Sequence, residues 1–446
     1  MRYIDSLNLK SSIECFILIE PGRGYLVQAL REKFKNSKVI ALHVDSGFSH
    51  CHLPEVPALH GTDSMSVQDF LEKEVPEIDA SLIRVIEWRP SLNYYGEAYV
   101  KLLSLVVEFI KRAQAGRRTV SAFGRRWVRN FFRNLNNIQQ IILYKTMEIP
   151  VIVTGSGPGL EKALPVIRKM REGSLILAAS SSIMALAHGG ITADIVIASD
   201  GGPWALRHIY PYFRGAAANA VIAANLCAAL PSQCCDAPRL IINDGSFWQS
   251  IVLHELALPS VLIAQKGTVT AAAVELAMLL SGGNIFLAGM DLSVRDIRTH
   301  ARPYGFDHLL FESASRFSPV YSKNFVRSGL IREGGDYGIY AAWFKNKLAS
   351  WPKRIFSLGG SHEVFENMLP LETAAEKNTD NYFKTVPVKD DPACFCKRGA
   401  SALLAAMKDG AYAENLKAEL TPLLFPGEKN VTEQELQSAI TGVSYG

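Results

Sequence analysis

Short apolar runs recur through the middle third of the chain, separated by segments long enough for a helix or a loop. The runs are Ile149–Val153, Leu175–Ala179, Ile195–Ala198, Val221–Ala224, Leu240–Ile242, Val261–Ala264 and Ile285–Ala288. Runs of this length are typical of parallel strands that are buried on both faces. The pattern therefore predicts an α/β fold with a doubly wound, mostly parallel central sheet from about Val151 to Asp291.

Small and polar residues follow nearly every one of these runs. They are Gly155, Ser156, Gly157, Ser180, Ser181, Ser182, Ser199, Asp200, Asn225, Asn243, Asp244, Gln265, Lys266, Gly267, Thr268, Gly289, Met290 and Asp291. In an open α/β sheet, ligands bind outside the carboxyl ends of the strands. We therefore expect these residues to line one crevice.

The N-terminal segment has the order strand, glycine turn, helix, strand, acid. An apolar run at Cys15–Ile19 precedes a turn from Glu20 to Gly24, and a helical stretch at 25–34 leads to a second run that ends before Asp45. Asp45 follows the first glycine of the turn at about the distance along the chain at which nucleotide-binding folds place a ribose-binding carboxylate. Because only two glycines and a proline occupy the turn, the pattern favours a structural Rossmann-like domain over a working cofactor site.

The remaining segments are predicted to be helical. Between 99 and 148, Trp127, Phe131, Leu135, Ile138 and Ile142 follow the spacing of one buried helix face, and the arginines between them form a solvated face. We predict four parts: an N-terminal Rossmann-like domain (1–98), a helical connector (99–148), a central α/β domain (149–361) and a small helical C-terminal region (362–446).

Composition narrows the functional classes. The 446 residues are 48 % hydrophobic and 20 % charged, with a formal net charge of +4, which indicates no general affinity for nucleic acid or membranes. The first ten residues lack the apolar run of a signal peptide, so a cytoplasmic location is expected. Neither the seven cysteines nor the group His43, His50, Cys51 and His52 has the spacing of a zinc site, and we predict no metal.

The most specific motif is the glycine-rich turn Gly155–Leu160. Its glycines allow a tight turn off a strand, and a helix N-terminus directly after it is predicted to bind an anion such as a phosphate. Gly267 and Thr268 repeat the arrangement after a later strand, where Thr268 either caps the next helix or donates its hydroxyl to the ligand. The chain has no P-loop sequence.

A histidine follows the last central strand. His300 lies nine residues after Asp291, where an imidazole can act as a general base or, once protonated, hold a leaving phosphate. The alternative is an ordinary surface histidine.

Together these motifs resemble the motility accessory factor family of flagellin glycosyltransferases. The resemblance rests on Val151–Leu160, Ala179–Ser181, Asp194–Asp200, Gly267–Asp291 and Thr299–Ala301, with a further match at Ser357–Gly360. That family's central domain is similar to bacterial sialyltransferases, which use cytidine-monophosphate (CMP) donors without a metal. The glycine motif is shared with archaeal 6-hydroxymethyl-dihydropterin diphosphokinases.

The resemblance implies roles for individual residues. Ser156 and Ser180 would face the nucleotide, Gly155 and Gly157 its phosphate, Gly267 and Thr268 the other side of the pocket, and Asp200 and Asp291 its rim. The sequence departs from the family at Gly159, where Ser is usual, and at Gly201 and Gly202, where a proline is common.

The function that follows is transfer of a nonulosonic, sialic-acid-like sugar from a CMP-activated donor to Ser or Thr of flagellin. His300 is the expected base, the donor is a substrate rather than a cofactor, and no metal is required. Two alternatives stay open: a pterin-type diphosphokinase that uses ATP and Mg²⁺, and a non-catalytic flagellin-binding protein. Homo-oligomerisation is also left open.

Overall fold

A computed structural model describes most of the chain. The described residues are 2–48, 55–75, 82–214, 220–234, 236–264, 268–334, 336–359, 361–368, 382–388, 392–428 and 430–445. No helix within these ranges is long and apolar enough to cross a membrane.

The elements alternate between strands and helices over most of the described residues. The strands are β1 (Cys15–Ile19), β2 (Lys38–His43), β3 (Ala58–His60), β4 (Ile83–Glu87), β5 (Gln140–Tyr144), β6 (Val151–Thr154), β7 (Leu175–Ala179), β8 (Ile195–Ala198), β9 (Val221–Asn225), β10 (Arg239–Asn243), β11 (Ser260–Leu262), β12 (Ile285–Ala288), β13 (Ile355–Ser357) and β14 (Phe383–Pro387). The helices are α1 (Arg2–Ser6), α2 (Tyr25–Lys33), α3 (Ser64–Glu74), α4 (Arg89–Tyr95), α5 (Glu97–Leu135), α6 (Leu160–Met170), α7 (Ile183–His188), α8 (Leu206–Arg214), α9 (Phe247–Glu255), α10 (Val269–Leu280), α11 (Asp307–Glu312), α12 (Val320–Gly334), α13 (Asp336–Ser350), α14 (Pro392–Ala406), α15 (Gly410–Leu424) and α16 (Glu433–Tyr445).

The chain divides into two compact units, Met1–Ala122 and Phe123–Gly446. In the described part of the first unit, four parallel strands form a sheet in the order β3-β2-β1-β4. All five residues of β1 are buried, because helices and loops cover both faces of this strand. The predicted Rossmann-like order of strand, turn, helix and strand is therefore confirmed.

The predicted connector differs from the structure at both ends. Helix α5 begins at Glu97, and the boundary between the two units falls inside it, after Ala122. The helix stops at Leu135, and Gln140–Tyr144 forms strand β5 instead of continuing it. Residues 99–148 are thus one long helix followed by a strand of the central sheet.

The central sheet of the second unit has the order β13-β12-β6-β7-β8-β9-β10-β5-β14 among the described strands, with β11 also paired to β10. Every pairing is parallel except that of β14 with β5. Successive strands run outward from β6 to β10, and β12 returns to the other side of β6. Because of this change of direction, the topological switch point lies where the carboxyl ends of the paired strands β6 and β12 meet.

Alternating side chains bury both faces of this sheet. In β6, Ile152 packs into the core beneath α6, α7 and α8, whereas Val151 and Val153 pack into the core beneath α10. Two covered faces explain why the strands are continuously apolar rather than alternating. The predicted doubly wound, mostly parallel α/β fold is therefore confirmed.

The C-terminal region contains more than helices. The predicted helical character of 362–446 is confirmed by three helices, and strand β14 in addition pairs antiparallel with β5 at the sheet edge. Helices α14, α15 and α16 share a core with α9 and the end of α5, which includes Phe131, Trp248 and Leu403. These helices pack near the edge of the sheet that lies farthest from β13.

Candidate functional site

The glycine turn after β6 is bonded to the neighbouring strand end. The Gly155 amide donates to Ala288 O at 2.8 Å, and the Gly157 amide donates to Gly289 O at 2.8 Å. These amides were expected to be free for a phosphate. The structure corrects this expectation, since backbone carbonyls already accept both hydrogen bonds.

The carboxylate of Asp291 occupies the helix N-terminus that was predicted to bind an anion. Both of its oxygens accept the Gly159 amide at 2.9 Å, and Arg295 Nε lies 2.9 Å from Oδ1. Burial raises the pKa of Asp291, while the Gly159 amide and Arg295 oppose that shift. Asp291 therefore caps α6, which explains how Gly159 can replace a capping serine.

Two other predicted ligand contacts have structural partners. The Asn225 side chain is buried, donates to Gln249 Oε1 at 3.1 Å and accepts the Cys227 amide at 2.8 Å, so its polar groups bind the protein itself. Thr268 accepts the Ala271 amide at 3.1 Å and caps α10, as one of its two predicted roles required. Gly267 lies outside the described residues.

Hydroxyl and carboxylate side chains follow three neighbouring strands, β6, β7 and β8, and of these side chains Ser180 is buried. Within the described ranges, the hydroxyls of Ser156 and Ser180 have no hydrogen-bond partner. Asp200 is exposed after β8, and its Oδ1 accepts the Gly202 amide at 2.7 Å. The three residues thus lie at the carboxyl ends of adjacent strands, and the ligand contacts predicted for them stay predictions.

His300 lies beside the glycine turn and is held in place by two neighbours. Its Nδ1 is 2.8 Å from Thr299 Oγ1, and its ring stacks on Tyr304 at a centroid distance of 4.0 Å. The next residue, Ala301, donates its amide to Ser156 O at 2.8 Å. Burial, together with Arg327 and His208, lowers the pKa of His300 to about 3, so the imidazole is neutral at pH 7.

A second histidine, which the sequence reasoning missed, joins the cluster from α8. The His208 ring lies 4.9 Å from that of Tyr304, and its buried Nδ1 has no hydrogen-bond partner in the described part of the chain. Burial lowers the pKa of His208 to about 4, although Asp200 opposes the shift. The guanidinium of Arg327 lies 5.9 Å from the centre of the Tyr304 ring.

Only weak sequence signals mark His208 and Arg327. His208 is the third residue of α8, and Arg327 lies in α12, a helix that no motif singles out. Their proximity to His300 depends on the loop from 298 to 306. An ion pair between Arg298 in this loop and Glu161 in α6, with 2.9 Å between Nη1 and Oε2, holds the loop against the helix.

The glycines after Asp200 have a packing role. A Cβ atom on Gly201 would overlap the indole of Trp127 and lie 2.7 Å from Cys227 O. The Asn130 amide on the same helix donates to Gly201 O at 3.2 Å and to Cys227 O at 3.0 Å. The end of α5 thus positions the loops after β8 and β9.

Among the described residues, the site holds no group of metal-ligating side chains. In the part of the chain that the structure describes, no group of three or more His, Cys, Asp or Glu residues is placed to hold a metal ion. His50, Cys51 and His52 lie outside the described residues.

Three comparisons relate the chain to known proteins. Residues 125–296 match the family model of MptE-like 6-hydroxymethylpterin diphosphokinases. An uncharacterized protein of Treponema pallidum (strain Nichols) is 27 % identical over 353 residues, which cover 74 % of this chain and 75 % of the relative. The MAf glycosyltransferase from Magnetospirillum magneticum AMB-1 has a similar fold, with a TM-score of 0.55 and 13 % identity over 97 % of this chain and 73 % of the other.

The family match covers the glycine turn, Asp200 and Asp291, and the fold likeness extends over nearly the whole chain. The resemblance to the motility accessory factor and MptE-like families is therefore confirmed, by the family model for the central segment and by the solved structure for the fold.

Proposed function

We propose that this protein is a metal-independent glycosyltransferase that moves a nonulosonic sugar from a CMP-activated donor to a Ser or Thr hydroxyl of flagellin. The observation that carries the proposal is the cluster of His300, His208 and Arg327 around Tyr304, which the Ala301 amide joins to the glycine turn by donating to Ser156 O. The fold likeness to a MAf glycosyltransferase supports the transferase class. Donor and acceptor follow from the family resemblance.

Charge at the site suits a phosphate leaving group. When the bond between the sugar's anomeric carbon and the phosphate oxygen breaks, negative charge accumulates on CMP and the sugar acquires oxocarbenium character. The Arg327 guanidinium stabilises the phosphate, and the orphan Nδ1 of His208 is a further hydrogen-bonding group. The Gly155, Gly157 and Gly159 amides already donate within the protein, so we assign this role to side chains.

His300 is the proposed general base. Its imidazole is neutral at pH 7, chiefly because burial lowers its pKa and secondly because Arg327 does; an anionic donor beside Arg327 offsets this second contribution and favours proton uptake. The acceptor oxygen bonds to the anomeric carbon as its proton moves to His300. The stacking on Tyr304 fixes the plane of the ring during this transfer.

The test uses the full chain, a CMP-nonulosonate and purified flagellin, with intact-protein mass spectrometry as the readout. We expect a mass increase of one sugar per modified site, and His300→Gln to lower kcat by about 100-fold or more. His254→Gln is the matched control, because His254 is exposed on α9. An active His300→Gln variant would refute the base assignment, and unmodified flagellin with every CMP-nonulosonate would refute the transferase.

The second candidate is a diphosphokinase, which the family match over 125–296 favours. It would require Asp200 and Asp291 to hold Mg²⁺ between phosphates. Asp291 fits this role poorly, since the Gly159 amide and Arg295 already engage its oxygens. Calorimetry with CMP against ATP and Mg²⁺ separates the two; tight ATP–Mg²⁺ binding without a CMP response would overturn the transferase.

A non-catalytic flagellin-binding protein would keep the fold without the chemistry. Mass spectrometry of flagellin from a deletion strain distinguishes it, because the transferase predicts loss of the glycan. An unchanged glycan mass with impaired filaments would favour the binding protein.

A further inference from the structure

The N-terminal unit contains a cavity of about 670 Å³ at the carboxyl edge of its sheet. In the order β3-β2-β1-β4, the chain winds outward from β1 to β3 and then returns to place β4 on the other side of β1. The segments that follow β1, β2 and β4 all line the cavity. It therefore lies at a topological switch point, and its volume is in the range of small-molecule sites, roughly 300–1,000 Å³.

Aromatic rings dominate the lining. Tyr25 and Tyr94 line the cavity and yet are 74 % and 82 % exposed, so neither ring is held by the core. Tyr95 packs edge-on against Tyr94 at 4.8 Å, and Tyr3 does so against Trp88 at 5.3 Å. Exposed rings that border a cavity offer flat faces on which a planar heterocycle can stack.

Two opposite charges complete the lining. Asp45 follows β2, and its Oδ1 accepts the Gly47 amide at 2.7 Å and the Tyr95 hydroxyl at 3.3 Å. Its Oδ2 has no partner in the described ranges, and neither has the exposed guanidinium of Arg23 beside the glycine turn. A carboxylate suits the vicinal hydroxyls of a ribose, and a guanidinium suits a phosphate.

A buried glutamate fixes the three strand ends around the cavity. Glu20 directly follows β1 at a φ of 44°, a conformation that is rare for a residue with a side chain. Its carboxylate accepts the Val44 amide at 2.6 Å and lies 3.1 Å from His43 Nδ1, and its carbonyl accepts the Ser91 hydroxyl at 2.8 Å. These bonds join the ends of β1, β2 and β4, so the cavity is preformed.

We propose that the N-terminal unit is a binding site for a nucleoside phosphate. The base stacks on the Tyr94 and Tyr25 rings, the ribose hydroxyls donate to Asp45, and the phosphate lies against Arg23. A simple sugar would use the carboxylate but would leave no planar group for the exposed rings. The residues that line this site all belong to the first unit, and the proposal does not depend on the function proposed for the histidine cluster of the second unit.

The first test measures binding of AMP, GMP, CMP and UMP to the full chain by calorimetry. We expect at least one of them to bind at a site where Tyr94→Ala and Asp45→Asn each weaken affinity by about tenfold or more. Met65→Ala, an exposed change elsewhere in the same unit, and His300→Gln in the second unit should leave that affinity unchanged. Absence of binding, or binding that only His300→Gln weakens, would overturn the proposal.

The second test isolates the ribose contact. The wild type should bind the ribonucleotide more tightly than its 2′-deoxy form, and Asp45→Asn should remove that preference. Equal affinity of the wild type for both forms would refute the role of Asp45. Ribose 5-phosphate or an oligosaccharide that binds more tightly than every nucleotide would refute stacking as the basis of recognition.

Discussion

The two units each have a switch point in their described sheets, and the two switch points are built differently. Between β1 and β4 the loops diverge and surround a cavity of about 670 Å³. Between β6 and β12 the loops bond to each other through the Gly155 and Gly157 amides, and Asp291 fills the turn. The stronger glycine motif therefore lies at the turn that the protein itself occupies.

Glycines at a strand end can serve two purposes: they allow two backbones to approach closely, or they leave open space for a ligand. A Cβ on Gly155 would lie 2.6 Å from Gly289 O, and one on Gly289 would lie 2.5 Å from Gly155 O. In contrast, nothing lies within 4 Å of a Cβ built on Gly22. The central glycines allow two backbones to approach, whereas open space lies above the N-terminal one.

The largest expected difference between the switch points concerns these glycines. Gly157→Ala places a methyl group 2.7 Å from Gly289 O and against the buried Asp291 carboxylate, so we expect it to lower the free energy of unfolding by about 3 kcal/mol or more. Gly22→Ala meets only the strain of its φ of 61°, about 1–2 kcal/mol. Calorimetric unfolding compares them, and equal losses would contradict the packing explanation.

Acid should destabilise the second unit through its two histidines. The pKa values of about 4 for His208 and about 3 for His300 lie below the ordinary 6.5, so burial favours their neutral forms. The associated stability is present above pH 6.5 and is lost as the pH falls toward 4. We expect a loss of about 2 kcal/mol per histidine, which Gln at both positions should remove in unfolding measured between pH 7 and pH 4.

Two variants of Asp291 distinguish the contribution of the helix cap to stability from the contribution of the buried charge. Asp291→Ala removes the acceptor of the Gly159 amide and should cost about 1 kcal/mol or slightly more. Asp291→Asn keeps an acceptor for this amide. It also removes a charge that burial disfavours, as the raised pKa of Asp291 indicates, so this variant should lose less stability. Urea unfolding of both variants tests this order, and a larger loss in Asp291→Asn would show that the Arg295 ion pair dominates.

The smallest stability effect is expected at the rim of the N-terminal cavity. Tyr94 is 82 % exposed, so Tyr94→Ala should change the free energy of unfolding by less than about 0.5 kcal/mol. Thermal unfolding without ligand measures this change. A large loss would mean that Tyr94 has a structural role, and its effect on nucleotide affinity would then need another variant.

Much of the central sheet was predictable because its strands are local apolar runs. The predicted bounds of β7, β8 and β12 agree with the structure residue for residue. Strand β5 was missed, since Ile138 and Ile142 continue the helical spacing of α5 across its end at Leu135. Strand β14 was missed because its pairing partner lies some 240 residues earlier in the chain, a contact that no local pattern specifies.

The sequence by itself determined the parallel layers, the positions of the turns and the placement of Ser156, Ser180 and Asp200 at strand ends, because burial and turn formation depend on neighbouring residues. Only the tertiary structure decided which amides stay free and which side chains meet. Asp291 reaches the Gly159 amide from 132 residues away, and His208, His300 and Arg327 come from three separate segments. Hydrogen bonds and electrostatic interactions between side chains require separations of a few ångströms, and for residues far apart in the chain only the folding of the chain sets these separations.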